Sequence, residues 1–223
     1  MTAPADLKDR LRESYNAVAS TYNTWTERHH HLRLAYLEEL LTICPELLSK
    51  KEKHQVLELG CGAGEPFLST LLSRTPTVYA HANDLSDVQV DLARKNLAAY
   101  AGRVEFNAGD MMKLDFAPGS LTAVVALYSI IHLPQEEQRE IIRRIGVWLA
   151  PGGVFVSTFT AGEMSGITAE KWLHDKGWMF WSGLGQDELV AEMKAGGLKP
   201  EKVALEGDEE ETLLWVIAKK AAA

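Results

Sequence analysis

Apolar residues recur at helical spacing along the first fifty positions. Leu7, Leu11, Tyr15, Val18 and Tyr22 fall three and four apart, so residues 5–24 predict a helix with one apolar stripe. Leu32, Tyr36, Leu37, Leu40 and Leu41 predict a second amphipathic helix over 32–43. From residue 55 short apolar runs alternate with longer amphipathic ones. Strands are expected at 55–59, 77–84, 103–108, 121–127 and 153–159, with helices at 66–74, 86–100 and 135–149. Leu121 to Leu127 is apolar throughout, as in the centre of a parallel sheet covered on both faces. Pro151-Gly152-Gly153 is expected to close the helix before the fifth strand. This alternation predicts an α/β fold with a doubly wound, Rossmann-like sheet and right-handed crossovers.

After residue 160 the rhythm breaks. Residues 161–184 are rich in Gly, Met and Trp and follow neither period. A helix is expected at 186–195, closed by Gly196-Gly197. Residues 202–206 and 212–219 read as a β-hairpin, and its acidic tip, Asp208-Glu209-Glu210-Glu211, reads as a solvated loop.

Composition adds mainly exclusions. At 223 residues one domain is expected. A net charge of −8 without a Lys/Arg-rich run argues against nucleic acid or an anionic membrane as partner. Cys44 and Cys61 make neither a disulfide framework nor a metal-type spacing. His29, His30 and His31 would point about 100° apart on a helix and cannot converge on one metal, so they read as a solvated helix start or a pocket rim. No metal site is expected. The first residues lack a basic-then-apolar signal and no apolar run reaches membrane length, so a cytoplasmic protein is expected.

The chemistry gathers where the first strand ends. Val56-Leu57-Glu58-Leu59 runs into Gly60, Gly62 and Gly64, and Pro66 opens the next helix. Glycines at such a bend take positive φ and let a ligand approach the backbone. There is no Gly-Lys-Ser/Thr, so a P-loop is excluded. The Gly-x-Gly-x-Gly spacing is not the dinucleotide fingerprint. Glu58 and Glu65 would oppose a pyrophosphate at the helix mouth and would suit an ammonium and a sulfonium. Asp84, ending the second strand, can accept from both ribose hydroxyls, since Ser86 is the better helix cap. Asp110, in Gly109-Asp110-Met111, can accept from an adenine amine.

With these residues in order, and with Pro151-Gly152-Gly153 and the terminal hairpin, the sequence resembles the class I S-adenosylmethionine-dependent methyltransferases over roughly residues 10–219. The resemblance implies a seven-stranded sheet of order 3-2-1-4-5-7-6 with the last strand antiparallel. It implies one domain over 1–223: an N-terminal helical lid (1–50), a cofactor-binding core (51–160), and a substrate lid segment with the terminal hairpin (161–223). It also implies S-adenosylmethionine as cofactor and S-adenosylhomocysteine as product. By position, the loop Gly60, Cys61, Gly62 and Gly64 would lie under the methionine part. Glu58 would hold its ammonium, Asp84 and Leu85 the ribose and adenine face, and Asp110 and Met111 the adenine edge. Leu127, Tyr128 and Ser129 would flank the sulfonium, with Tyr15 and Tyr22 closing from above. The stretch 126–134 and the aromatic run Gly177 to Trp181 look like a small-molecule subgroup.

The reaction expected is transfer of a methyl group to O, N or S of a small, apolar or aromatic metabolite. Aligning the nucleophile with S–CH3 supplies most of the acceleration. A base is needed only for a nucleophile that must lose a proton. His132 is the first candidate base, with Tyr128 and Glu163 behind it. Trp25, Tyr128, His132, Glu163, Trp178 and Trp181 are candidate acceptor contacts, with Trp172 and Met179 in the same aromatic segment. A monomer or homodimer is expected. The competing readings are a protein or nucleic-acid methyltransferase, which would need an open, basic groove, a non-catalytic cofactor-binding regulator, and a nicotinamide oxidoreductase.

Overall fold

A computed structural model describes residues 3–222. Met1, Thr2 and Ala223, the ends of the domain expected over 1–223, lie outside the described residues. The helices are α1 (Leu7–Trp25), α2 (His30–Ile43), α3 (Phe67–Arg74), α4 (Asp87–Asn96), α5 (Gln135–Trp148) and α6 (Gln186–Ala195). The strands are β1 (His54–Leu59), β2 (Val78–Asp84), β3 (Val104–Ala108), β4 (Leu121–Ala126), β5 (Leu149–Thr160), β6 (Glu163–Glu170), β7 (Trp178–Leu184), β8 (Leu198–Gly207) and β9 (Thr212–Lys220).

Seven strands form one sheet of order β3-β2-β1-β4-β5-β9-β8. β1 to β5 pair in parallel, and β9 runs antiparallel to both β5 and β8. The expected sheet order and antiparallel last strand are therefore present, with β9 and β8 in the last two places.

Burial explains the helices. α1 buries Leu7, Leu11, Ser14 and Val18, one stripe at spacings of three and four. α2 buries Tyr36, Leu37, Leu40 and Leu41 against α3 and one face of the sheet. α5 buries Ile141, Ile142, Ile145 and Trp148 on the other face. β4 is almost wholly buried between these layers.

Three local expectations are corrected. Residues 150–153 do not end a helix in a turn; they bulge within β5, whose pairing with β4 jumps from Leu121–Leu149 to Ala123–Val154. The helix expected over 86–100 stops at Asn96, and residues 98–103 tighten into 3₁₀ turns. Residues 161–184, unassigned by periodicity, hold a separate two-stranded sheet, β6 with β7. β7 escaped because Trp178, Met179 and Phe180 are all buried, under α1 and against α5, so no alternation shows.

Candidate functional site

The carboxyl ends of β1, β2, β3 and β4 open into a pocket of about 190 Å³ covered by α1 and α2. Tyr15, Tyr22, Glu58, Gly60, Cys61, Gly62, Asp84, Leu85, Asp110, Met111 and Leu127 all line it. Gly64 lies just behind the wall, where an added Cβ would meet Leu97.

Backbone builds the floor. Gly60, Gly62 and Gly64 all have positive φ, between 53° and 78°. The N–H groups of Gly60 and Cys61 both donate to the Asn83 carbonyl at 2.8 Å. A Cβ at Gly60 would stand 2.4 Å from the Ser129 Cβ, so the β1 and β4 ends pass closely only because position 60 is bare. Asp84 accepts from the Gly62 N–H at 2.9 Å and the Ser86 N–H at 2.8 Å. Ser86 Oγ caps α4 by accepting from the Gln89 N–H. Burial raises the Asp84 carboxyl to about 6, against the pull of the N–H groups of Ser86 and Gly62. Asp110 accepts from the Met112 N–H and pairs with Lys8 of α1 at 3.3 Å.

Glu58 and Arg33, an acid and a base, both line the pocket. Glu58 is 6% exposed, and burial raises its carboxyl to about 8, although Arg33 draws it down. Arg33, on α2, is 8% exposed, donates to Thr26 Oγ1 at 2.8 Å, and lies over the Tyr128 ring. Among the described residues, neither Glu58 Oε2 nor Arg33 Nε has a hydrogen-bond partner. Such buried polar atoms are costly unless something answers them. Arg33 was not singled out in the sequence, because an arginine on an amphipathic helix ordinarily reads as a solvated face. Asn83 was also missed: its side-chain amide ties the ends of β2 and β3 by donating to the Asn107 and Gly109 carbonyls.

His132 lines the pocket with both ring nitrogens engaged. The Phe180 carbonyl lies 2.8 Å from Nδ1, and the Tyr15 hydroxyl 2.8 Å from Nε2. A carbonyl only accepts, so Nδ1 carries the proton and Nε2 accepts from Tyr15. Burial pushes the imidazole down to about 4, so it is neutral near pH 7. Tyr128 has φ of 59°, and its N–H donates to Thr158 Oγ1 at 2.7 Å. Its ring stacks on His29 at 5.6 Å.

The expected acceptor contacts separate. Glu163 is exposed on β6, beside Gly185, and does not reach the pocket. Trp178 is 5% exposed, packs with Leu7 and Leu11 and carries Arg10 on its face, so it fixes α1 rather than facing the cavity. Met179 is likewise core. Trp25 and Trp181 stand outside the pocket wall, around Trp172.

The histidine run and the acidic tip also differ from expectation. His29 is 1% exposed; Asp208 lies 3.0 Å from its Nε2 and Glu211 3.4 Å from its Nδ1. Arg28 pairs with Asp208 and Glu210 and lies over Trp25. His30 lines the pocket. The tip is thus docked on the N-terminal lid, a contact between residues about 180 apart in sequence.

A family model described as a methyltransferase domain matches residues 56–153. These residues are similar to methyltransferase domains. Methyltransferase GfsG of Streptomyces halstedii is 32% identical over 66% of this chain and 54% of its own length. The 27-O-demethylrifamycin SV methyltransferase of Amycolatopsis mediterranei is 28% identical over 90% of this chain and 77% of its own. The chain thus spans about half the length of the first relative and three quarters of the second. Among solved structures, a Burkholderia thailandensis 1,6-didemethyltoxoflavin-N1-methyltransferase, with 1,6-didemethyltoxoflavin and S-adenosylhomocysteine bound, superposes with a TM-score of 0.73. That match covers 99% of this chain and 92% of the other at 17% identity, and shows a shared fold. The methyltransferase match spans β1 to the start of β5, which carry the glycine loop, Asp84, Asp110 and Tyr128. No helix among the described residues is long and apolar enough to cross a membrane.

Proposed function

We propose that the chain is an S-adenosylmethionine-dependent methyltransferase acting on a small molecule. The observation that carries this is the buried pair Glu58 and Arg33, each with an unanswered polar atom in one pocket. An acid and a guanidinium lining one pocket, each with an unpartnered atom, suit the ammonium and carboxylate of an amino acid. A dinucleotide offers no such zwitterion. Asp84 and Asp110, which line the same pocket, support adenosine as the rest of the ligand, since Asp84 keeps lone pairs free for ribose hydroxyls and Asp110 can accept from an adenine amine. The methyltransferase relatives support the same ligand.

S-adenosylmethionine, when bound, supplies a methyl group already activated on a sulfonium. The chain then has to orient the acceptor and exclude water. Tyr15 and Tyr22 cover the pocket, and His132 fixes Tyr15 by accepting its hydroxyl proton in a hydrogen bond. We assign His132 this positioning role in place of general base. A neutral imidazole with both nitrogens occupied has no free site for an acceptor proton. Tyr128 lies over the β4 end beside the pocket and shapes it with Leu127. Residues 3–50 and the β6–β7 segment serve as cover and 51–160 as the cofactor-binding core, while β8 and β9 complete the sheet. The aromatic cover, together with relatives named for small-molecule acceptors, supports an apolar or aromatic metabolite over a protein or nucleic acid.

Isothermal titration with S-adenosylhomocysteine and with NAD tests the reading. Micromolar binding of the first and none of the second is expected; the reverse result rejects the proposal. A screen of phenols, amines and thiols, read as S-adenosylhomocysteine release, then identifies the acceptor atom.

A further inference from the structure

The acidic tip between β8 and β9 meets the lid at one turn, Thr26–His29, which joins α1 to α2. This corner has two faces. Thr26, Glu27 and, one residue on, His30 line the pocket, while Arg28 and His29 meet the tip. Thr26 Oγ1 also accepts from Arg33, so the tip grips the corner that holds that guanidinium. The Tyr128 ring, a wall of the pocket, stacks on the His29 imidazole with 7° between the planes.

His29 is buried, and an acid stands at each of its ring nitrogens. Asp208 Oδ2 lies 3.0 Å from Nε2, and Glu211 Oε2 lies 3.4 Å from Nδ1. The N–H groups of Glu211 and Glu210, with the His29 ring, hold the Asp208 carboxyl down to about 2, so it is ionised and accepts the Nε2 proton. A neutral imidazole has no second proton, so its Nδ1 turns a lone pair toward Glu211 Oε2. Both atoms are buried, and neither has a hydrogen-bond partner among the described residues. Two acceptors so placed repel, and neither reaches water. One proton between them turns the repulsion into a hydrogen bond. Burial favours the neutral pair, raising the Glu211 carboxyl and lowering the His29 imidazole. The Asp208 charge favours a proton on either group, and Arg28 and Arg33 oppose it. Glu210 is taken up by Arg28. The Tyr15, Tyr22 and Tyr128 hydroxyls, which also feel Glu211, are raised by burial and stay neutral.

We propose that His29 and Glu211 form a proton-operated latch: one shared proton holds the β8–β9 tip on the α1–α2 corner, and its loss loosens the tip. The latch needs no ligand and does not rest on the methyltransferase reading. A raised acid contributes fully below its ordinary value of 4.5, and the contribution is lost as pH rises through the raised value. The lowered imidazole has the opposite sign: it adds stability above 6.5 that is lost as pH falls through its lowered value. Release on raising the pH therefore belongs to Glu211, and Glu211→Gln separates the two groups.

Amide hydrogen exchange of residues 26–30 and 208–212, followed by NMR from about pH 5 to about pH 8, reads the latch in the intact chain. Rates are corrected for intrinsic exchange at each pH and compared with the β4 amides, which report the whole fold. Relative protection should fall by about tenfold as pH rises, the worth of one buried hydrogen bond. The side-chain amide of Glu211→Gln donates to Nδ1 at every pH, so its relative protection should stay level. The nitrogen chemical shifts of the His29 ring should move over the same pH range in which the parent loses protection. Relative protection independent of pH in the parent, an equally steep fall in Glu211→Gln, or ring shifts that do not follow the loss overturns the proposal. If Glu211→Gln does not fold, the ring shifts and relative protection of the intact chain decide alone.

Discussion

On the floor of the pocket, polar groups are set by backbone: three glycines at positive φ, N–H groups aimed at Asp84, and strand ends tied by Asn83. Over the pocket, position is set by side chains from distant parts of the chain. α1 and α2, β6–β7 and the β8–β9 tip meet through rings and ion pairs. The floor tolerates almost no change of shape, because backbone passes against backbone and cannot yield. The cover holds through many weak contacts, each of which can be lost without the others.

The largest effect is expected at the floor. Gly60→Ala places a Cβ against Ser129 at positive φ, and should cost roughly 2–5 kcal/mol from overpacking and left-handed strain together. Gly62→Ala meets nothing within 4 Å and should cost only about 1–2 kcal/mol, from backbone strain alone. Urea denaturation of the two variants compares them directly, and equal losses would break the contrast.

Next is Asp84→Ala, which removes the acceptor of two floor N–H groups and the proposed ribose contact. S-adenosylhomocysteine affinity should fall by about a hundredfold, as expected for losing hydrogen bonds to a charged group. His132→Ala, which only frees Tyr15, should change that affinity by less than about tenfold. Calorimetry giving equal affinities would remove the ribose assignment.

A pH dependence of intermediate size follows from Glu58, whose carboxyl is raised from 4.5 to about 8 by burial. An ammonium requires the carboxylate, so binding below pH 8 releases a proton. Affinity for S-adenosylhomocysteine should therefore rise between pH 6 and 8, by at most about tenfold per unit for this group. The ligand-free fold behaves oppositely. Its raised acid favours the protonated form, so this contribution to stability is full below pH 4.5 and is lost as pH rises toward 8. Glu58→Gln should flatten the binding dependence above pH 7, where Asp84, raised only to about 6, has already ionised. A dependence in Glu58→Gln as steep as in the parent would exclude the ammonium role.

The smallest effect is expected in the cover. Arg28→Ala loses exposed pairs to Asp208 and Glu210 and one ring contact, and should cost no more than about 1 kcal/mol. The loss should shrink in high salt. A loss larger than that of Gly62→Ala would show that the tip is a structural clamp for the lid.

The floor was legible because its signals are local. Glu58 and Asp84 stand in the last positions of β1 and β2, Gly60, Gly62 and Asp110 just follow strands, and strand ends in a parallel sheet necessarily share one edge. The alternation that places those strands is written in the apolar pattern, down to the antiparallel hairpin at the end. Arg33 was not legible, because its burial comes from α2 folding over Tyr128, which no helical pattern reveals. Trp178 and Trp181, three residues apart in one aromatic run, take different roles. The first packs under α1 and the second faces Trp172.

The sequence alone determined the sheet, its order of chemistry along the ligand edge, and the glycine loop, since each depends on neighbours within a few residues or on strand alternation. Only the tertiary structure decided which tryptophans are core and which surround Trp172. It also decided that His132 is tied to Tyr15, and that an acidic loop meets a histidine about 180 residues away. Those outcomes depend on burial and on pairs brought together by chain closure. A side chain's charge state and partners are set by what folds against it, and the linear pattern carries no term for that.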